Sequence, residues 1–117
     1  MSIRRFRLTL LAAACYASAL CFSQGAIAAG DAQRGKAKSV PCQACHGPTG
    51  NSANPAFPKI AGQHQSYLLH AMTAYATGKR TNPIMQGMAA PLSPRDREDL
   101  AAWYASQEGL KTLKSDH

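Results

Sequence analysis

The sequence predicts a small all-α domain of about three helices and long loops, with too little apolar bulk to fill its own core. Three observations carry this. No alternating run of β-branched residues reads as a strand. Three segments show helical spacing together with helix caps. And although 45% of the 117 residues are hydrophobic, only ten of the 89 residues after position 28 are Val, Ile, Leu or Phe, against 15 alanines. A chain of this length holds one domain at most, which excludes a multidomain enzyme with a cleft between lobes. A composition so poor in large aliphatics leans towards disorder unless a disulfide, a metal or another staple completes the core.

The front end reads as a targeting segment. Ser2-Ile3-Arg4-Arg5-Phe6-Arg7 is basic, Leu8 to Phe22 is apolar and uncharged, and Ala26-Ile27-Ala28 offers a small-residue cleavage site. That is the pattern of a secretory signal peptide covering 1–28, with the domain occupying 29–117. The apolar run is short for a membrane span of about 20 residues. A lipoprotein signal needs an apolar residue three places before a cysteine, and Ala12 and Ser18 stand there for Cys15 and Cys21. Cleavage after Ala28 removes Arg4, Arg5 and Arg7. The formal charge then falls from +7 to +4, ten basic side chains against six acidic. Cys42 and Cys45 remain, in an exported and oxidising setting that places the protein in the periplasm.

The helices follow in order. The first is expected from about Asp31, a candidate N-cap, to Val40, with Pro41 ending it. The second is expected from about Gln65 to Thr77, with Leu68, Met72 and Tyr75 on one stripe and Gly78 closing it. The third opens on Ser93-Pro94-Arg95-Asp96, close to a capping box with proline at N1, and carries Leu100, Trp103, Tyr104 and Gln107 before Gly109 stops it. Between them, Gly47–Gly62 and Lys79–Leu92 read as loops. Two loops of that length in a compact domain are expected to wrap something.

Cys42-Gln43-Ala44-Cys45-His46 states what they wrap. C-x-x-C-H is the attachment sequence for c-type haem. Two thiols three residues apart, at the end of a helical turn, reach the two vinyl groups on one porphyrin edge. The next side chain, His46, then lies under the iron as proximal ligand. Competing readings of the cysteines fit less well. A thioredoxin-like pair belongs in a βαβ setting, and no strands are read here. A structural zinc site wants four ligands, and His64, His70 and His117 lack finger-like spacing. A plain disulfide is compatible with the spacing alone. For the other face of the iron, Met85 and Met88 lie 39 and 42 residues after His46. A thioether opposite histidine raises the potential, and a six-coordinate iron favours electron transfer over substrate chemistry. Methionine is equally a gap-filling core residue, and Met72, on a helical stripe, reads that way.

In order and spacing, several pieces together resemble the class I c-type cytochromes. They are Gly30-Asp31-Ala32 with Gly35-Lys36, Cys42-Gln43-Ala44-Cys45-His46-Gly47, Gly50-Asn51-Ser52, Phe57-Pro58-Lys59-Ile60-Ala61-Gly62-Gln63, Tyr67-Leu68-Leu69, Met85-Gln86-Gly87-Met88, and Leu92-Ser93 leading to Ala101-Ala102-Trp103-Tyr104-Ala105-Ser106-Gln107. The chain is similar to the small bacterial monohaem cytochromes of the c553 type and to one half of the dihaem c4 type, over nearly all of Ala29–Gln107. The resemblance implies a class I cytochrome c fold around one covalently bound haem. It points to Met85 as sixth ligand, with Met88 the alternative. It implies that the Pro58 carbonyl accepts the Nδ1–H of His46, that Ile60, Tyr67, Leu68 and Leu100 line the pocket, and that Gly35 lies where the first and last helices cross, near Trp103 or Tyr104. A second C-x-x-C-H, which a dihaem chain would carry, is absent from this sequence.

The expectation is therefore a periplasmic electron carrier rather than an enzyme, in a respiratory chain. Its donor would be a quinol-oxidising complex or a dehydrogenase, its acceptor an oxidase, reductase or peroxidase. The alternative is a haem subunit or sensor whose sixth iron site is open or labile. Lys36, Lys38, Lys59, Lys79 and Arg80 give a positive excess suited to steering an acidic partner. No nucleic-acid partner and no stable membrane insertion after cleavage are expected. No Ser/His/Asp set, acid pair or phosphate loop supports hydrolytic chemistry.

Overall fold

The computed structural model describes residues 30–110, so the expected leader at 1–28 lies outside the described residues. Five helices follow one another: α1 (Ala32–Lys38), α2 (Val40–His46), α3 (Gln65–Ala76), α4 (Pro83–Ala89) and α5 (Pro94–Ala105). Among the described residues there is no strand, as expected.

The caps explain the boundaries. Asp31 accepts from the backbone N–H groups of Gln33 and Arg34, both at 2.9 Å, which supplies two of the donors a helix start leaves orphaned. α1 ends at Lys38, earlier than expected. The buried Ser39 hydroxyl donates to the Lys36 carbonyl at 2.8 Å and closes the turn. Pro41 does not end a helix but sits in the first turn of α2, where its missing N–H is no loss. α5 opens with a complete capping box: Asp96 N–H donates to Ser93 Oγ at 3.1 Å and Ser93 N–H to Asp96 Oδ2 at 3.0 Å. α5 stops at Ala105 with Ser106 as its cap, before the expected Gly109. Gly109 instead lies against Ala61, whose carbonyl accepts the Leu110 N–H at 2.9 Å.

α1 crosses α5, and α3 packs between α5 and α4. The crossing depends on Gly35: a Cβ there would overlap the Asp99 carbonyl and come within 2.8 Å of the Trp103 Cβ. Beside it sits a carboxylate that periodicity alone did not single out. Asp99 is fully buried and accepts from Asp31 N–H at 2.7 Å, Arg34 Nε at 3.0 Å and Lys38 Nζ at 3.0 Å. Lys38 also reaches Asp96 at 2.6 Å. The bonds from Arg34 lead in holding the Asp99 carboxyl far below the usual aspartate range, and its bonds from Lys38 and Ser93 hold Asp96 at about 2. The α1–α5 crossing is thus an ionic staple around one buried charge.

The protein core itself is thin. Leu68, Leu100, Ala101 and Tyr104 form its buried cluster, with Cys42, Ile60, Met72 and Trp103 packed against it. The loop from Gly47 to Gly62 folds over this cluster through Gly50. Its φ is +84°, its carbonyl accepts from Ile60 and Ala61, and a Cβ there would meet Tyr104 at 2.8 Å.

The staple should be visible in acid. Both aspartates are ionised more readily folded than unfolded. Their contribution is complete above the ordinary aspartate range and is lost as pH falls through about 2. Asp99→Asn should lower the melting temperature at pH 7 by roughly 5–10 °C. In circular dichroism melts, the gap to wild type should close as pH drops below about 4.

Candidate functional site

α2 delivers the motif as one rigid unit. Cys42 and Cys45 lie one helical turn apart and His46 follows at the helix end, buried. The His46 Nδ1 lies 2.9 Å from the Pro58 carbonyl oxygen. A carbonyl only accepts, so Nδ1 carries the proton and Nε2 is left with its lone pair as a metal donor. The expected Pro58 contact is therefore present, and it fixes both tautomer and ring plane.

A cleft of about 910 Å³, counted out to its open mouth, begins at Cys42 and His46. Pro58, Ile60, Tyr67, Leu68 and Leu100, all expected there, line it, together with Met72, Tyr75, Met85 and Tyr104. A second cleft of about 760 Å³ holds Cys45, Phe57, Ile84 and Met88 and shares Cys42, His46, Pro58, Tyr75 and Met85 with the first. The shared walls make the two clefts one site. Met85 belongs to both. Met88 belongs to the second alone and is 38% exposed.

The segment carrying Met85 is a helix, where the proline and glycine content suggested a loop. Asn82 caps it by accepting the backbone N–H of Met85 itself at 3.0 Å, and Pro83 occupies the first turn. The thioether is thereby anchored at its own residue. Asn-Pro before an apolar run is a helix-start signal that was present in the sequence. His64 and His70 are exposed and do not line either cleft.

Cys42 and Cys45 are not joined to each other by a disulfide. Burial pushes the Cys42 thiol up, whereas a redox-active dithiol has a depressed pKa. The Tyr104 hydroxyl, also buried and driven up chiefly by that burial, lies beside it. Among the described residues, no group of three or more His, Cys, Asp or Glu is placed to hold a metal ion. What the site does offer is two thiols on one helix, an imidazole with Nε2 free, a soft thioether, and a largely apolar wall. Lys59 and Arg80 line it and no carboxylate does. That donor set fits haem c, a flat apolar ring carrying carboxylates on one edge.

Comparison with known proteins agrees. The cytochrome c family model matches residues 32–108. The chain belongs to the cytochrome c family. It is 52% identical over 81 residues to cytochrome c4 of Pseudomonas aeruginosa, covering 69% of this chain and 40% of that one. It is 42% identical over 83 residues to cytochrome c-554(548) of Halomonas halodenitrificans, covering 68% of this chain and all of the relative. Reduced cytochrome c4 from Pseudomonas stutzeri has a similar fold, with a TM-score of 0.67 at 44% identity over 70% of this chain and 48% of that chain. The chain thus spans about half or less of the length of the c4 proteins it matches, and is similar to one half of them. Membership of the family brings covalently bound haem c, with Cys42 and Cys45 standing in the C-x-x-C-H motif.

Cys42→Ser and Cys45→Ser should each leave one thioether, and the double variant none. Mass spectrometry after acid–acetone extraction reads this directly. Haem that stays covalently bound to the double variant would refute the assignment.

Proposed function

We propose that this cytochrome c domain is an exported, periplasmic carrier of single electrons, with its haem iron held between His46 and Met85. The observation that carries the reading is the pair of backbone restraints on opposite ligands. The Pro58 carbonyl orients His46, and the Asn82 cap pins Met85 in a wall common to both clefts. Haem c, when bound, supplies a one-electron Fe(III)/Fe(II) couple in a low-dielectric pocket. The chain's own residues do the rest. Cys42 and Cys45 would hold the ring through two thioether bonds, His46 would offer Nε2 to the iron, and Met85 would offer a neutral thioether donor that favours the reduced form. Leu68, Leu100 and Ile60 exclude water from the pocket.

No helix among the described residues is long and apolar enough to cross a membrane. Also, Lys59, Lys79 and Arg80 form no ion pair among the described residues, leaving positive charge near the cleft to steer an acidic partner. The donor would be a quinol-oxidising complex or a dehydrogenase. The acceptor would be an oxidase, reductase or peroxidase.

Met85→Ala should lower the reduction potential and open the reduced iron to carbon monoxide, seen as a shift of the Soret band. Met88→Ala should do neither. The reverse pattern would make Met88 the ligand. Immediate carbon monoxide binding by the unaltered protein would point instead to a haem sensor or enzyme subunit.

A further inference from the structure

Tyr104 carries a hydroxyl into the wall of the first cleft, on a residue only 3% exposed. The residue is held between α5 and the Gly47–Gly62 loop. A Cβ on Gly50 would meet its Cδ1 at 2.8 Å, and its carbonyl accepts the Gly62 N–H at 2.9 Å and the Gln107 N–H at 3.2 Å. Its hydroxyl faces the Cys42 thiol and the Ser39 hydroxyl, and stands at full hydrogen-bond geometry with neither. Ser39 is fully buried and already committed. Its hydroxyl donates to the Lys36 carbonyl at 2.8 Å and accepts from Gln43 Nε2 at 3.0 Å. A serine hydroxyl has one proton to give, so Ser39 has none left for Tyr104. The tyrosine is therefore the donor of this group. A buried hydroxyl on an apolar wall is unfavourable unless a partner meets it, and a phenylalanine ring would fill the same space without that penalty.

The chemistry at Cys42 supplies the partner. Attachment adds the thiol across a vinyl double bond: the sulfur bonds to one vinyl carbon, its proton ends on the other, and no oxidant or reductant is consumed. A thiol both donates and accepts, whereas the sulfur of the finished thioether has no proton and only accepts. We propose that Tyr104 is the positioning residue for this addition at Cys42: its hydroxyl donates to the Cys42 sulfur, keeps that side chain turned into the cleft, and remains on the sulfur of the thioether. This rests on the haem reading above. The contact also favours the thiolate, which is the nucleophile, against the burial that pushes the Cys42 thiol up. Cys45 lies on the second cleft, which Tyr104 does not line. The two attachment points therefore differ, and only Cys42 is held from α5.

The test uses single-cysteine chains expressed with the attachment machinery, because each reports on one sulfur. Mass spectrometry after acid–acetone extraction counts the attached haem. Tyr104→Phe keeps the ring and removes only the hydroxyl. In the Cys45→Ser background, where Cys42 alone attaches, it should lower the attached fraction by roughly threefold to tenfold, the factor that loss of one hydrogen bond gives. In the Cys42→Ser background it should change nothing. An equal loss in both backgrounds would mean a packing role, and no loss in either an idle hydroxyl; each overturns the proposal. If the single-cysteine chains retain no haem, the doubly attached protein decides. Proton NMR of its reduced form should show a slowly exchanging Tyr104 hydroxyl resonance, missing from Tyr104→Phe and still present in Ser39→Ala. Absence of that resonance from wild type, or its loss in Ser39→Ala, overturns the proposal. A failure of the haem reading itself would appear separately, as wild type without covalent haem.

Discussion

The structure depends on a shortage. Seven hydrophobic residues are buried among those described, and four of them are alanine. Burial of that little apolar area leaves a domain of this size close to unstable, because ordering each residue costs on the order of 1–2 kcal/mol. The fold meets the shortage from two sides. At the α1–α5 crossing, Gly35 permits close contact and the ion cluster around Asp99 ties the two ends of the domain together. On the other side of α5, Leu68, Leu100 and Tyr104 present an apolar wall to a cleft whose remaining walls are loops and short helices. A rigid apolar ring joined covalently to α2 completes that half of the core. The prosthetic group is then a structural element as much as a redox one.

The same arrangement accounts for the kind of chemistry the site supports. Each candidate ligand is tied to the backbone at its own position: His46 through the Pro58 carbonyl, and Met85 through its N–H on Asn82. Ligands restrained in this way move little when the iron changes charge, which keeps reorganisation small. Charge is also segregated. The carboxylates at the α1–α5 crossing are engaged in the staple, while Lys59 and Arg80 stand on the cleft wall with no carboxylate beside them there.

Much of this was legible in the sequence. C-x-x-C-H specified the cofactor because its spacing has one common chemical use. The capping box at Ser93 and the cap at Asp31 located α5 and α1, because caps depend on local hydrogen bonds that the sequence spells out. The Pro58 contact and the pocket residues came from resemblance rather than from pattern, since nothing local in Phe57-Pro58-Lys59 indicates which carbonyl meets an imidazole twelve residues away. Three features were not seen. Pro83–Ala89 contains a proline and a glycine and so resembled a loop, although Asn82 caps a helix there. Asp99 shares the buried stripe of α5 with Trp103, and a carboxylate in that position demands cationic partners; those partners lie more than 60 residues earlier. The Arg80–Tyr75 stack joins a helix to the turn after it, and only the folded chain reveals it.

The central claim is that haem c forms half of the core. Circular dichroism melts of the haem-loaded protein and of protein expressed without the attachment machinery test it most directly. The loaded protein should melt in one cooperative transition with a well-developed near-ultraviolet signal. The haem-free chain should show weak near-ultraviolet signal and no cooperative transition. A haem-free chain that melts as sharply and at the same temperature would mean that the protein core suffices, which contradicts the account.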